Sequence, residues 1–251
     1  MKLTENTIFI TGGGSGIGRA LAEALHKLGN QVIISGRRQA HLAAVVAANP
    51  GMHAVELDIT DPASIARVAR QLINDFPQLN VLINNAGIML PDTAAGQVDD
   101  ALLVSTISTN LMGPIRLTSA LIEHLKQADN AYVAYTSSVL GFVPMALTAV
   151  YSATKAALHS YALSQRFMLR DTSVKVLEIA PPWVRTELMN SSEEELAMPL
   201  DEFIAETMAV LATDAEEVLV ERAKPLRANA GPNEHTLVNA FNTQLVDLYA
   251  Q

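Results

Sequence analysis

The chain has 251 residues, 49% of them hydrophobic, which is long enough to bury one large core. A net charge of −9 and a pI of about 5.1 argue against nucleic acid or an anionic membrane as partner. There is no cysteine, so disulfides, zinc–thiolate sites and cysteine nucleophiles are excluded.

The first residues, Met1-Lys2-Leu3-Thr4-Glu5-Asn6, run directly into a strand pattern, without an apolar leader. No later segment offers roughly 18 uninterrupted apolar residues. The expectation is a soluble, cytoplasmic protein that does not span a membrane. Thr7-Ile8-Phe9-Ile10 is a short, continuously apolar run, as suits a strand covered on both faces of a parallel sheet. It is followed by Thr11-Gly12-Gly13-Gly14-Ser15-Gly16-Ile17-Gly18 and a helical pattern from Arg19 to Leu28 that stops at Gly29. Strand, glycine-rich turn and helix form the setting of a phosphate-binding turn. The glycines let the backbone approach closely, and the helix start offers free N–H groups to a pyrophosphate. The spacing Gly12-x-x-x-Gly16-x-Gly18 differs from G-x-G-x-x-G, and such a turn can also be only a turn.

Gln31 to Ser35 reads as the second strand, ending in Gly36-Arg37-Arg38. In a dinucleotide site an acid here would hold ribose hydroxyls, and an arginine would accommodate a 2′-phosphate. Two arginines and no acid favour NADP(H), with NAD(H) possible; the plainer alternative is a solvated charge pair at a helix start. Residues 39–48 are alanine-rich helix, and Met52 to Leu57 a third strand. Asp58 then stands at a strand's carboxyl edge. It could accept from an adenine amino group, or equally serve the helix start at Thr60-Asp61-Pro62. Ser64 to Phe76 is an amphipathic helix. Val81-Leu82-Ile83, the fourth strand, ends in Asn84-Asn85-Ala86-Gly87, which offers amides and a flexible turn.

Asp99 to Lys126 reads as one long helix or two, with Gly113-Pro114 inside. Asn110 lies mid-stretch, where an asparagine needs a local partner. The fifth strand, Ala131 to Thr136, ends in Ser137-Ser138, and an apolar loop follows from Val139 to Pro144. Next comes Tyr151-Ser152-Ala153-Thr154-Lys155, opening a helix without Gly or Pro through Phe167. Residues four apart share a helix face. A tyrosine's ordinary pKa of about 10 is too high for proton exchange at neutral pH, and a neighbouring cation favours the phenolate. The pair is a candidate general acid/base, although Tyr-x-x-x-Lys is also a common chance pair. The sixth strand, Val174 to Ile179, ends in Ala180-Pro181-Pro182-Trp183-Val184-Arg185-Thr186. Residues 188–199 have loop or lid character, Asp201 to Ala212 is helical, Glu217 to Arg222 is a candidate short strand, and Glu234 to Tyr249 a terminal helix. Strands alternating with helices predict an α/β, doubly wound, Rossmann-like parallel sheet of six or seven strands in a single domain, 1–251, with helices on both faces. Within it, 188–212 is the expected lid and substrate region and 223–251 the tail.

From Thr7 to about Thr186 these residues, in this order, resemble the short-chain dehydrogenase/reductase family in its single-domain form. By that resemblance Tyr151 exchanges a proton with the substrate oxygen. Lys155 lowers the phenol's pKa and holds the nicotinamide ribose, Ser138 orients the substrate, and Asn110 holds a water in the proton relay. The resemblance places Gly12, Ser15, Gly16, Ile17 and Gly18 against the cofactor, with Asp58, Ile59, Asn85, Ala86 and Gly87 farther along. Pro181, Val184 and Thr186 follow at the nicotinamide end. Arg37 and Arg38 stand where NADP-preferring members carry a basic residue. Ser15 stands where some of those members have a second basic residue. Two departures are plain: Pro181-Pro182 replaces the family's Pro-Gly, and the tail lacks the common strand and Gly-Gly ending. Related members pair as dimers or tetramers through the Tyr151 helix and the long helix before it, which implies a homodimer or homotetramer.

The function so implied is reversible hydride transfer between NADP(H) and a carbonyl compound or secondary alcohol, of carbonyl- or ketone-reductase type, with a medium-sized apolar ketone or aldehyde as the expected substrate. Met89, Leu140, Phe142, Trp183, Leu188 and Met189 are the expected lining of an apolar substrate pocket. The alternatives are an NAD-dependent polyol or sugar dehydrogenase, and a non-catalytic nicotinamide-binding or interaction protein on the same fold. No histidine pairs with a carboxylate at a recognised spacing, so a metal site or a Ser-His-Asp hydrolase is disfavoured.

Overall fold

The apolar runs become strands of one sheet, and a computed structural model describes residues 1–249 of it. The strands are β1 (Thr7–Thr11), β2 (Gln31–Gly36), β3 (His53–Glu56), β4 (Leu79–Asn84), β5 (Ala131–Thr136), β6 (Val174–Ile179) and β7 (Glu217–Val218). All seven pair in parallel, in the order β3-β2-β1-β4-β5-β6-β7. Parallel neighbours need crossover connections, and helices supply them. These are α1 (Gly16–Lys27), α2 (Gln39–Ala48), α3 (Pro62–Asp75), α4 (Asp100–Ile107), α5 (Gly113–Leu125), α6 (Ala149–Leu169) and α7 (Leu200–Leu211). Two more, α8 (Lys224–Arg227) and α9 (Glu234–Tyr249), complete the chain.

Side chains alternate across a strand, so a sheet covered on both faces needs apolar residues at every position. Ile8, Ile10, Val32, Ile34, Val81 and Ile83 pack on one face with Leu21 and Leu25 of α1, Val45 of α2 and Phe203 of α7. Phe9, Ile33, Leu82, Val133, Tyr135 and Val176 pack on the other with Val68 and Leu72 of α3, Leu117 and Leu121 of α5, and Leu158 of α6. The strand order reverses between β1 and β4, and the diverging loops open a crevice at the carboxyl ends there.

The stretch from Asp99 to Lys126 is neither one helix nor two separate ones. Ser108–Met112 forms a π-helical turn joining α4 to α5. Gly113 then meets Ile59 so closely that a Cβ would lie 2.6 Å from the Ile59 carbonyl oxygen. The seventh strand is shorter than the sequence suggests. It pairs through Glu178 with Glu217 and Ile179 with Val218. Beyond that, β6 passes into Ala180-Pro181-Pro182, and proline has no N–H to donate. Among the described residues no helix is long and apolar enough to cross a membrane.

The start of α3 shows how local sequence sets an element. Asp61 accepts from Ala63 N at 2.9 Å and Ser64 N at 3.1 Å, and Pro62 fills the first helical position. Asp61→Ala should therefore cost about 1 kcal/mol, read as a lower urea midpoint with an unchanged slope. An unmoved midpoint would show that the cap contributes nothing.

Candidate active site

A cleft of about 540 Å³ lies along the carboxyl ends of the strands. Its floor is tied together by Thr11, whose Oγ1 accepts from both Asn85 N and Ala86 N at 3.0 Å. The Asn85 side chain returns a bond from Nδ2 to the Thr11 carbonyl at 3.0 Å. Gly18 packs against this junction. A Cβ there would stand 2.3 Å from Asn85 Nδ2 and 2.4 Å from the Gly12 carbonyl oxygen, so no larger residue fits. The start of α1 has no acidic residue in its first turn, and the Ser15 side chain does not cap it. Its N–H groups and positive dipole end are thus presented to the cleft.

Gly12, Ser15, Gly16, Ile17 and Gly18 line one end of the cleft, with Arg37, Arg38 and Ile59. The Arg38 guanidinium donates to Ser15 Oγ at 3.0 Å and lies 3.5 Å from the Glu187 carboxylate on the opposite lip. Asp58 is not in the lining. Its carboxylate accepts from Thr60 Oγ1 at 2.7 Å and Thr60 N at 2.9 Å, bonds that hold it below the usual carboxylate range. Of the two roles open to Asp58, the local turn is the one this geometry displays.

At the other end, Ser138, Tyr151 and Lys155 converge. Tyr151 and Lys155 sit one turn apart on α6, 6% and 3% exposed. Lys155 Nζ donates to the Thr136 carbonyl at 2.7 Å and lies 5.4 Å from the Tyr151 ring centroid. Ser138 Oγ accepts from Leu140 N at 3.1 Å, which holds the hydroxyl at the cleft wall. Burial pushes the Tyr151 phenol up to about 12, with the Ser138 hydroxyl working the other way. The lowering expected from the Lys155 cation is not what dominates here; burial is. Burial also pushes the Lys155 ammonium down to about 8.

Asn110 sits in the π turn, fully buried. Its Oδ1 accepts from Ile88 N at 2.9 Å, and its Nδ2 donates to the Ile88 carbonyl at 2.8 Å. That is the local partner its position demands. The backbone at Gly87 lies between it and Lys155, since a Cβ there would lie 3.4 Å from Asn110 Oδ1 and 3.6 Å from Lys155 Nζ. Asn85, Ala86, Gly87, Pro181, Val184 and Thr186 all line the cleft.

Met89, Leu140, Trp183, Leu188 and Met189 line the apolar end. Trp183 Nε1 donates to Ser191 Oγ at 2.9 Å, bracing that wall. Phe142 does not join them. Its ring turns away, edge-on to His159 at 5.0 Å and under the Arg227 guanidinium at 4.8 Å. Leu226 of α8 and Phe241 and Leu245 of α9 complete the wall. Sequence reading missed them, although Phe241 and Leu245 show the four-residue spacing of a helix face. Asn242 fastens α9 in place, donating to the Pro144 carbonyl at 2.9 Å and accepting from Ala146 N at 2.5 Å. Also missed was a buried carboxylate, Glu178, 2.6 Å from His159 Nδ1, because only the docking of α6 on β6 brings the two together.

Known proteins share both the sequence and the architecture. The uncharacterized oxidoreductase DltE of Bacillus subtilis (strain 168) is 37% identical over 250 residues, covering 97% of this chain and 99% of that one. A crystal structure of a short chain dehydrogenase from Burkholderia cenocepacia J2315, in complex with NADP, superposes with a TM-score of 0.83 at 25% identity, covering 94% of this chain and 97% of that one. A short chain dehydrogenase/reductase from Burkholderia phymatum, in complex with NAD, gives 0.82 at 20% identity, covering 90% and 93%, a likeness in fold alone. The family model for short chain dehydrogenases matches residues 6–197, from the first strand past the proline pair, and the chain belongs to that family of NAD(P)-dependent oxidoreductases.

Proposed function

We propose that this chain catalyses, in the cytoplasm, reversible hydride transfer between NADP(H) and a medium-sized apolar ketone or aldehyde, in the manner of a carbonyl reductase. The observation that carries the reading is the convergence of Ser138, Tyr151 and Lys155 at the apolar end of a cleft whose other end is a glycine turn. The residues fit a dinucleotide. The uncapped start of α1, free of acids, suits a pyrophosphate. Arg37 and Arg38 suit a 2′-phosphate, and Lys155, deep in the cleft, suits the nicotinamide ribose. The nicotinamide, when bound, supplies the hydride.

The protein supplies position and a proton. A phenol pushed up to about 12 stays protonated at neutral pH, which suits Tyr151 as donor to a carbonyl oxygen and favours reduction. The Ser138 hydroxyl orients that oxygen. The Lys155 cation favours the phenolate left behind. Asn110, held by Ile88, keeps its place in the relay beside Lys155. The Met89, Leu140, Trp183, Leu188 and Met189 wall, closed by Phe241 and Leu245, offers apolar contact rather than the many hydrogen bonds a polyol needs. Of the expected lid, 188–212, only the stretch through Ser191 borders this wall, since α7 packs in the core; Leu226, Phe241 and Leu245 of the tail cover it instead. The related Burkholderia cenocepacia structure holds NADP, and the Burkholderia phymatum one NAD. The arginine pair, with no acid at the end of β2, is the reason for preferring NADP here.

The outer face of α6 leaves Leu163, Phe167 and Met168 exposed at 44%, 64% and 74%, and α4 leaves Val104 at 55%. Apolar exposure of this kind fits a homodimer or homotetramer pairing through these helices.

Fluorescence titration should show NADPH binding more tightly than NADH, with Arg37→Asp erasing about tenfold or more of the NADPH affinity. Tighter NADH binding would favour the NAD-dependent dehydrogenase instead. Binding of neither by folded protein would favour the non-catalytic alternative. On a panel of apolar ketones, Tyr151→Phe should lower turnover about a hundredfold or more while leaving NADPH binding intact. Full turnover in that variant would sink the assignment. In sedimentation analysis Phe167→Glu should shift the protein toward monomer, and an unchanged mass would place the interface elsewhere.

A further inference from the structure

The proton step described above leaves one buried titratable group unused. Glu178 lies in β6 with no exposed surface. Burying a carboxylate is unfavourable unless its oxygens are paired. Here both are. Oε1 accepts from Ser137 Oγ at 2.5 Å, and Oε2 lies 2.6 Å from His159 Nδ1. His159 sits one turn beyond Lys155 on α6, so the two share a face toward the sheet. Lys155 Nζ is bonded to the carbonyl of Thr136, the residue before Ser137. Ammonium and carboxylate are thus fastened to adjacent residues at the end of β5.

The other charges nearby pair among themselves. Arg227 of α8 donates to both oxygens of Glu217 in β7, at 2.7 and 2.9 Å. Arg166 of α6 lies 3.3 Å from the Glu216 carboxylate. Lys155 and His159, both on α6, face Glu178, and the Arg227 guanidinium, although paired with Glu217, also feels its charge. A divalent cation is not what the cluster is built for. Ligand atoms of His159, Glu178 and Glu217 lie within 4.8 Å of one another, but Arg227 already holds Glu217 and Ser137 holds Glu178. Nor is it a nucleophilic triad, because the carboxylate stands between serine and imidazole, where the imidazole would have to stand.

We propose that Glu178 is a positioning residue for the proton step: its carboxylate, held by Ser137 and His159, is the buried counter-charge that keeps the Lys155 ammonium protonated beside Tyr151. Burial pulls Lys155 down to about 8, and Glu178 pulls in the opposite direction. Loss of the counter-charge would therefore favour the uncharged lysine. The role rests on Tyr151 and Lys155 being the acid/base pair, but the charge relation can be measured without substrate or cofactor.

The test is a pH titration of carbon-13 lysine resonances in the full chain, with Lys155 assigned by its loss in Lys155→Met. Glu178→Gln should lower the Lys155 midpoint by about one pH unit or more. A merely structural carboxylate would leave that midpoint where it was, and this result overturns the proposal. A second pair of variants keeps the test decisive if Glu178→Gln does not fold. His159→Leu strips the carboxylate of one donor and should lower the midpoint too. His159→Asn, whose amide nitrogen can take the place of Nδ1, should restore it. Equal midpoints in these two variants overturn the proposal as well. A shifted midpoint in a protein that turns over no carbonyl would support the counter-charge while sinking the reductase reading, so the two failures are distinguishable.

Discussion

Lys155 donates to the Thr136 carbonyl at 2.7 Å from a position only 3% exposed, and the Tyr151 end of the cleft is arranged around that bond. An ammonium taken out of water must be held by acceptors and opposite charge, or it discharges. The bond joins α6 to the end of β5, so the helix carrying Tyr151 docks on the strand end that runs into Ser138. The close approach this requires is visible at Gly141, where a Cβ would meet the Lys155 backbone carbon at 3.0 Å. Burying the lysine therefore sets the spacing between the phenol on the helix and the hydroxyl on the strand end.

The opposite end of the cleft follows different physics. There the work is done by backbone and by small side chains. Thr11 gathers two N–H groups from the end of β4, and Asn85 answers with its amide. Each bond adds only about 0.5–1.5 kcal/mol, but together they pair the Asn85 and Ala86 N–H groups and the Thr11 carbonyl at the strand ends. Because Gly18 lies against this junction, α1 can begin within touching distance of β4. The Arg38 contacts are weaker, being exposed and bridging two lips of the cleft, and worth little as stability. Their value is in placing a guanidinium over an anion's approach.

Reading the sequence located the elements that local rules determine. The strands at 131–136 and 174–179 and the helices at 39–48 and 234–249 fall where apolar runs and turn residues mark them. The glycine turn and the Tyr151–Lys155 pair are legible because their spacing is itself the geometry, a turn before a helix or four residues on one, while Ser138 is singled out by the family resemblance alone. The π turn around Asn110 was not, since it answers to the Ile88 backbone, which is distant in sequence. Phe142 was misplaced for a related reason. An apolar residue in an apolar loop can face either side, and here the His159 ring and the Arg227 guanidinium draw it away from the cleft. Glu178 looked like an ordinary strand residue, because nothing local announces that Ser137 and His159 will converge on it.

These two kinds of legibility correspond to two kinds of constraint. The glycine turn and the Tyr151 helix tolerate little change, because a Cβ at Gly18 or Gly141 would collide with backbone. The apolar wall is assembled from segments far apart in the chain: the loop after β4, the Trp183 loop, and α8 and α9. Of these, α9 reaches the Pro144–Ala146 loop through Asn242. That loop leads directly into α6, so the helix that closes the substrate end is fastened to the approach of the helix that carries Tyr151. Side chains at Phe241 and Leu245 can vary in size without touching Tyr151 or Lys155, whereas loss of the Asn242 bonds would loosen the wall and the loop together. In the proposed reductase, substrate choice is thus separable from chemistry by side chain, but not by backbone.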